Sequence, residues 1–128
     1  MTKQRNHRLG DLQLRIMKVL WDRGEATVAD VHKEVAGERD LAYTTLATML
    51  RKMEARGLAR HRVEERSFVY EAVVDEDAVS RGMSDHLLDR LFEGSLADMV
   101  RHLLDTREVS REELSKIERL IAERKRAR

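Results

Sequence analysis

The sequence predicts a mainly α-helical fold in two parts, with one β-hairpin between them. Apolar residues recur at helical spacing from Leu9 to Met53 and again beyond Asp75, so both ends read as amphipathic helices. Between them "LARHRVEERSFVYEAVV" changes period, with Phe68, Tyr70 and Ala72 alternating against Val69, Glu71 and Val73 in a β-rich run. The second and third helical segments are joined only by "GERDL", the short link of a helix-turn-helix. A hairpin directly after such a pair is the layout of a winged helix, which the sequence places at residues 1–74, with a three-helix domain at 75–128.

The first helix is carried by Leu12, Ile16, Val19 and Leu20 and ends at Gly24, with Trp21, the only tryptophan, as a hydrophobic anchor near its end. Thr27 then stands as an N-cap with Asp30 three residues on, a variant of the capping box, and Val28, Val31 and Val35 give the second helix its stripe before Gly37. The third helix lies in "LAYTTLATMLRKMEARGLA", residues 41 to 59, with Gly57 as its natural C′ residue. At about 100° per residue, Tyr43, Leu46, Met49, Leu50 and Met53 collect on one side and Thr44, Thr45, Thr48, Arg51 and Lys52 on the other.

That polar side is unusual. Threonine fills a helix interior poorly, and a solvated face favours Glu, Lys and Gln. This face carries no acid, has hydroxyls toward the N-terminus and cations behind them, the pattern of a helix lying in a DNA major groove. Threonine can bond base edges or pack on a thymine methyl, and Arg and Lys meet phosphates. An amphipathic core helix with a few helix-weak residues would look similar, so the stretch does not decide the matter alone.

The hairpin turns around Glu64, Glu65 and Arg66, and Arg66 is the expected wing contact to the DNA backbone. Arg60 and Arg62 are weaker candidates, and for all three the alternative reading is charge that blocks edge pairing on exposed strands, in a field that the two glutamates dilute. Beyond Val74, "DEDAVSRGMSDHLLDRLFEG", "SLADMVRHLLDT" and "SREELSKIERLIAERKRAR" read as three helices with Asp75, Ser95 and Ser110 as N-caps. Their apolar residues include Met83, Leu87, Leu91, Phe92, Leu96, Met99, Val100, Leu103, Leu114, Ile117, Leu120 and Ile121. Three short helices have little interior for so many large side chains, which predicts packing against a second copy. Packing against the N-terminal domain is the alternative. The basic tail "ERKRAR" reads as a solvated helix end.

Composition sets outer bounds. A chain of 128 residues makes one domain or two small ones, a size that favours oligomerisation. It has no cysteine, no apolar run long enough to span a bilayer and no signal-peptide pattern, so it reads as soluble and cytoplasmic, without membrane insertion. Net charge is +1, but residues 1–74 hold 14 Lys and Arg against 11 Asp and Glu, and the remainder 11 against 13. The small basic excess sits with the threonine helix. No G-x-S-x-G elbow, Gly-rich phosphate loop or H-E-x-x-H pair is present, which argues against an enzyme. His7, His32, His61, His86 and His102 are too scattered to form a metal site on one helix turn, and neighbouring Ser84, Asp85 and His86 cannot form a relay from consecutive helix positions. Neither cofactor nor metal is expected.

"LGDLQLRIMKVLW", "TVADVHKEV", "LAYTTLATMLRKMEARGLA", "FVYEAVV" and "LFEGSLADMVRHLL" resemble, in order, the BlaI/MecI penicillinase-repressor family, to which the copper-responsive CopY repressors also belong. The likeness covers nearly the whole chain. It implies an N-terminal winged helix, a C-terminal helical dimerisation domain, and repression by a homodimer on a dyad-symmetric operator. The family's threonines matching Thr45 and Thr48 face the bases, whereas Thr44 stands where penicillinase repressors often carry lysine.

Two departures bear on regulation. The chain lacks the C-terminal cysteine motif with which CopY-like members bind copper. At the Asn-Phe bond where the staphylococcal-type repressors are cleaved, it aligns His102 and Leu103. A membrane sensor protease of the BlaR/MecR type remains an implied partner, with a different cleavage specificity. The rival from another class is a winged-helix module that binds proteins, since fold does not fix function. It would expose aromatic or aliphatic anchors where this chain has hydroxyls and cations.

Overall fold

The computed structural model describes residues 9–37 and 40–127. His7, Glu38 and Arg39 of the "GERDL" link and the terminal arginine of the basic tail lie outside the described residues. The elements are α1 (Asp11–Arg23), β1 (Ala26–Thr27), α2 (Val28–Val35), α3 (Tyr43–Ala55), β2 (Ala59–Glu64), β3 (Ser67–Ala72), α4 (Glu76–Phe92), α5 (Leu96–Thr106) and α6 (Arg111–Ala127). The fold is mainly helical with a small antiparallel sheet, as the periodicities predict.

Local chemistry explains the boundaries. At the start of α2, the Asp30 N–H donates to the Thr27 hydroxyl at 3.1 Å and the Thr27 N–H donates to the Asp30 carboxylate at 3.0 Å, a reciprocal capping box. Asp75, Ser95 and Ser110 accept from the backbone N–H of Ala78, Asp98 and Glu113 at 2.8, 3.1 and 3.0 Å. Helix α3 ends in a Schellman motif, with Gly57 N–H donating to Glu54 O at 2.9 Å and Leu58 N–H to Met53 O at 3.0 Å. Gly57 takes φ +81°, which side-chain-bearing residues rarely adopt.

The described residues fall into two compact units that divide between Ser84 and Asp85. In the first, Ile16, Met17 and Leu20 of α1, Val31 and Val35 of α2, and Leu46, Leu50 and Met53 of α3 close around Leu58, Ala59 and Tyr70. Trp21 anchors α1 by donating its indole N–H to the Val74 carbonyl at 2.9 Å. The first unit extends to Ser84, and Val79 in the first turns of α4 is buried.

Three features depart from the periodicity. The sheet is three-stranded, in the order β1-β3-β2, and not a bare hairpin: Ala26 pairs with Tyr70 and Thr27 with Val69. A two-residue strand is too short to show alternation. With β1 on its open edge, β3 becomes central, so adjacent Val69 and Tyr70 are both buried while Phe68 is exposed. Tyr43, assigned by its spacing to the apolar side of α3, is half exposed at 50 % because the first position of the helix stands at the margin of the core.

Among the described residues 85–127 none is buried. Phe92 packs against the His102 ring with centroids 5.7 Å apart, and Met99, Val100, Leu103 and Ile117 are half-buried, whereas Leu87, Leu91, Leu96, Leu114, Leu120 and Ile121 are exposed. An open cleft between α5 and α6 is lined by Leu103, Leu104, Val109 and Ile117 beside Arg107. His102 and Leu103 lie within α5, the former exposed and the latter half-buried.

Candidate nucleic-acid interface

The burial of Leu46, Leu50 and Met53 sets the rotation of α3, turning Thr44, Thr45, Thr48, Arg51 and Lys52 outward. Thr44, Thr45, Thr48 and Lys52 line one shallow depression together with Met49, and Arg51 stands beside it on the exposed side. Among the described residues, no carboxylate lies within ion-pair distance of Arg51 or Lys52. The one acid of α3, Glu54, is turned toward the wing, where its carboxylate meets His61 Nδ1 at 2.6 Å. The outward face therefore keeps its positive charge uncompensated.

The start of α3 has no side-chain cap, its N-cap residue being Ala42. It is held from α2 instead: His32 Nε2 donates to the Leu41 carbonyl at 2.9 Å, and the Tyr43 ring sits edge-on to the His32 ring with centroids 5.9 Å apart. From α1, the Gln13 amide donates to Met49 Sδ at 3.5 Å, while its oxygen accepts from the Gly10 N–H and from Arg56, each at 3.2 Å. Periodicity singles out neither His32 nor Gln13, since both act through polar contacts made between helices. His32 at the end of α2 and Gln13 three residues into α1 look like ordinary surface positions.

In the wing, Arg60 is bonded to Glu71 across the β2–β3 ladder at 2.6 Å. Arg62 is clamped between Glu25 at 2.7 Å and Glu64 at 2.9 Å. The bond to Arg62 holds the Glu25 carboxyl below the usual carboxylate range. These pairings neutralise Arg60 and Arg62. Arg66 lies on a different element, in the exposed β2–β3 turn, and has no ion pair among the described residues. Behind the wing, the His61 ring stacks on Phe68 with centroids 4.0 Å apart and approaches Tyr70 at 5.3 Å, so the Glu54–His61 bond joins α3 to the sheet. Burial, and then the Glu54 carboxylate, push the Tyr70 hydroxyl above its ordinary value.

Neither a cluster of metal-ligating side chains nor a helix long and apolar enough to cross a membrane occurs among the described residues. The family model described as penicillinase repressor matches residues 9–123. The chain is 30% identical to the penicillinase repressor of Bacillus licheniformis over 117 residues, covering 91% of each. It is 34% identical to the transcriptional regulator BlaI of Mycobacterium tuberculosis over 118 residues, covering 91% of this chain and 84% of that one. Among solved structures, the DNA-binding domain of the repressor BlaI superposes with a TM-score of 0.52 at 29% identity, covering 59% of this chain and 93% of that domain. Family members are DNA-binding transcriptional repressors and not enzymes. With its match running from α1 into α6, the chain belongs to the penicillinase-repressor family and is a winged-helix transcriptional repressor.

Proposed function

We propose that the chain represses transcription as a homodimer on a dyad-symmetric operator, with α3 of each subunit in a major groove. The observation that carries the DNA contact is the outward face of α3, three threonines and two unpaired cations with no acid among them. Thr44, Thr45 and Thr48 read base edges, Arg51 and Lys52 meet phosphates, and Arg66 brings the wing to the backbone. The exposed apolar residues of α4, α5 and α6 support dimerisation, since a lone unit of three short helices leaves Leu91, Leu96 and Leu120 more than 60 % exposed. Two half-sites about one helical turn or a small multiple apart are then bound together, the second contact being intramolecular. Release follows from whatever loosens the C-terminal helices, a sensor protease of the BlaR/MecR type included.

The test is a footprint on the DNA upstream of the chain's own gene at near-physiological salt, beside the Thr45→Ala/Thr48→Ala double variant. A protected dyad-symmetric site that the variant loses is the expected result. Each lost base contact should lower preference for operator over random DNA by about 1–3 kcal/mol. Arg51→Ala should weaken binding to all sequences and reduce its salt dependence. Equal losses on operator and random DNA for the threonine variants contradict base reading.

A further inference from the structure

Tyr43 has no assigned role, and its environment is unusual for an exposed aromatic. It occupies the first position of α3, half exposed, directly before Thr44 and Thr45. Its ring is steadied from α2 by the edge contact with His32, which is itself fixed on the Leu41 carbonyl. An aromatic held in place while exposing half its surface is ready to meet a partner at little entropic cost.

The helix geometry says which part of the DNA it would meet. With about 100° per residue, the centre of the outward face lies near Thr48, with Arg51 and Ala47 on one flank of it and Tyr43 further round the same way, at the margin of the core. A helix about 10–12 Å across nearly fills a major groove about 12 Å wide, so its centre addresses base edges while its flanks address the phosphate walls. Tyr43 and Arg51 are about 12 Å apart along the axis and about 80° apart round it, on the same side of Thr48. One strand's backbone can run past both.

We infer that Tyr43 is a backbone-positioning contact, its phenol hydroxyl donating to a phosphate oxygen on the wall that Arg51 also faces. This rests on the reading that α3 enters the major groove. The contact is neutral, which separates it from a cation: it releases no counterion and carries no sequence information.

The experiment uses the full chain and a duplex selected by the wild-type protein from a random library, with a random duplex of equal length alongside. Tyr43→Phe keeps the ring and removes only the hydroxyl. It should lower affinity on both duplexes by roughly threefold to tenfold, the loss of one hydrogen bond, and leave the salt slope unchanged. Replacing phosphates one at a time by neutral methylphosphonates should identify one position where the wild type loses affinity and Tyr43→Phe does not. Wild-type affinity in Tyr43→Phe, a loss confined to the selected duplex, or equal sensitivity of both proteins at every phosphate overturns the inference. Thr45→Ala separates it from the reading beneath: if that variant loses selectivity while Tyr43→Phe binds normally, only the tyrosine contact fails. A wild-type chain that selects no sequence overturns both.

Discussion

Glu65 and Arg66 both stand in the left-handed backbone region, with φ +46° and +71°, and form the two-residue turn between β2 and β3. Such turns favour Asn-Gly, because a side chain at positive φ crowds the following carbonyl. An arginine retained there makes sense if its charge is used, and Arg66 is the wing arginine without an ion pair among the described residues. Arg66→Gly should therefore raise stability by about 1 kcal/mol, seen as a higher thermal midpoint. The same variant should weaken DNA binding on every sequence and lower its salt slope by about one. A variant that is more stable and binds DNA as before would remove Arg66 from the interface. The residue chemistry of the recognition helix was legible in the sequence because periodicity alone separates Thr44, Thr45 and Thr48 from Leu46 and Leu50. Pairing was not: nothing in the order of residues shows that the fold brings Glu71 to Arg60 and Glu25 to Arg62.

Among elements, α2 depends most on a single local device. It has only eight residues, too few for a helix to persist alone, and its first turn is closed by the Thr27–Asp30 box. Thr27→Ala should cost about 1 kcal/mol in urea unfolding. The Thr27 N–H, donating to the Asp30 carboxylate, holds that carboxyl below its ordinary range against the opposing effect of burial, aided by the Thr27 hydroxyl and Arg23. A carboxyl lowered in the folded state stabilises the protein above its unfolded pKa, and that contribution is lost as pH falls through the lowered folded value. Asp30→Asn should thus be less stable than the wild type at pH 7, and the gap should narrow as acid titrates the wild-type carboxylate. A gap constant from pH 7 into acid would place the stabilisation elsewhere. This box could be read from sequence, as could the caps at Asp75, Ser95 and Ser110, because capping is local. The pairing of β1 with β3 could not, since it joins residues 42 and 44 positions apart through a strand of two. For the same reason the margin position of Tyr43 escaped the helix wheel, which knows angle but not where the core stops.

At the scale of the whole molecule, the two units differ in how they meet the requirement for a core. The first buries Ile16, Met17, Leu20, Leu46, Leu50 and Met53 almost completely, while the described residues of the second bury none and leave Leu91, Leu96, Leu120 and Ile121 at least half exposed. Exposed apolar surface of this kind favours association, and a self-complementary face closes as a dimer. Under the proposed function that association governs DNA binding by concentration. Each winged helix alone makes few base contacts, and linking two raises the effective concentration of the second to the millimolar range. Leu91→Lys combined with Leu120→Lys should shift sedimentation toward monomer at micromolar protein, because both side chains are exposed in a single chain and tolerate charge unless a partner covers them. Affinity for a two-half-site duplex should fall on the order of 100-fold or more, while affinity for a single half-site stays unchanged, since α3 is untouched. A doubly substituted chain that remains dimeric would remove these two leucines from the interface. A monomeric one that holds both half-sites as tightly as the wild type would show that the two DNA contacts are independent, and that release must act on α3 itself.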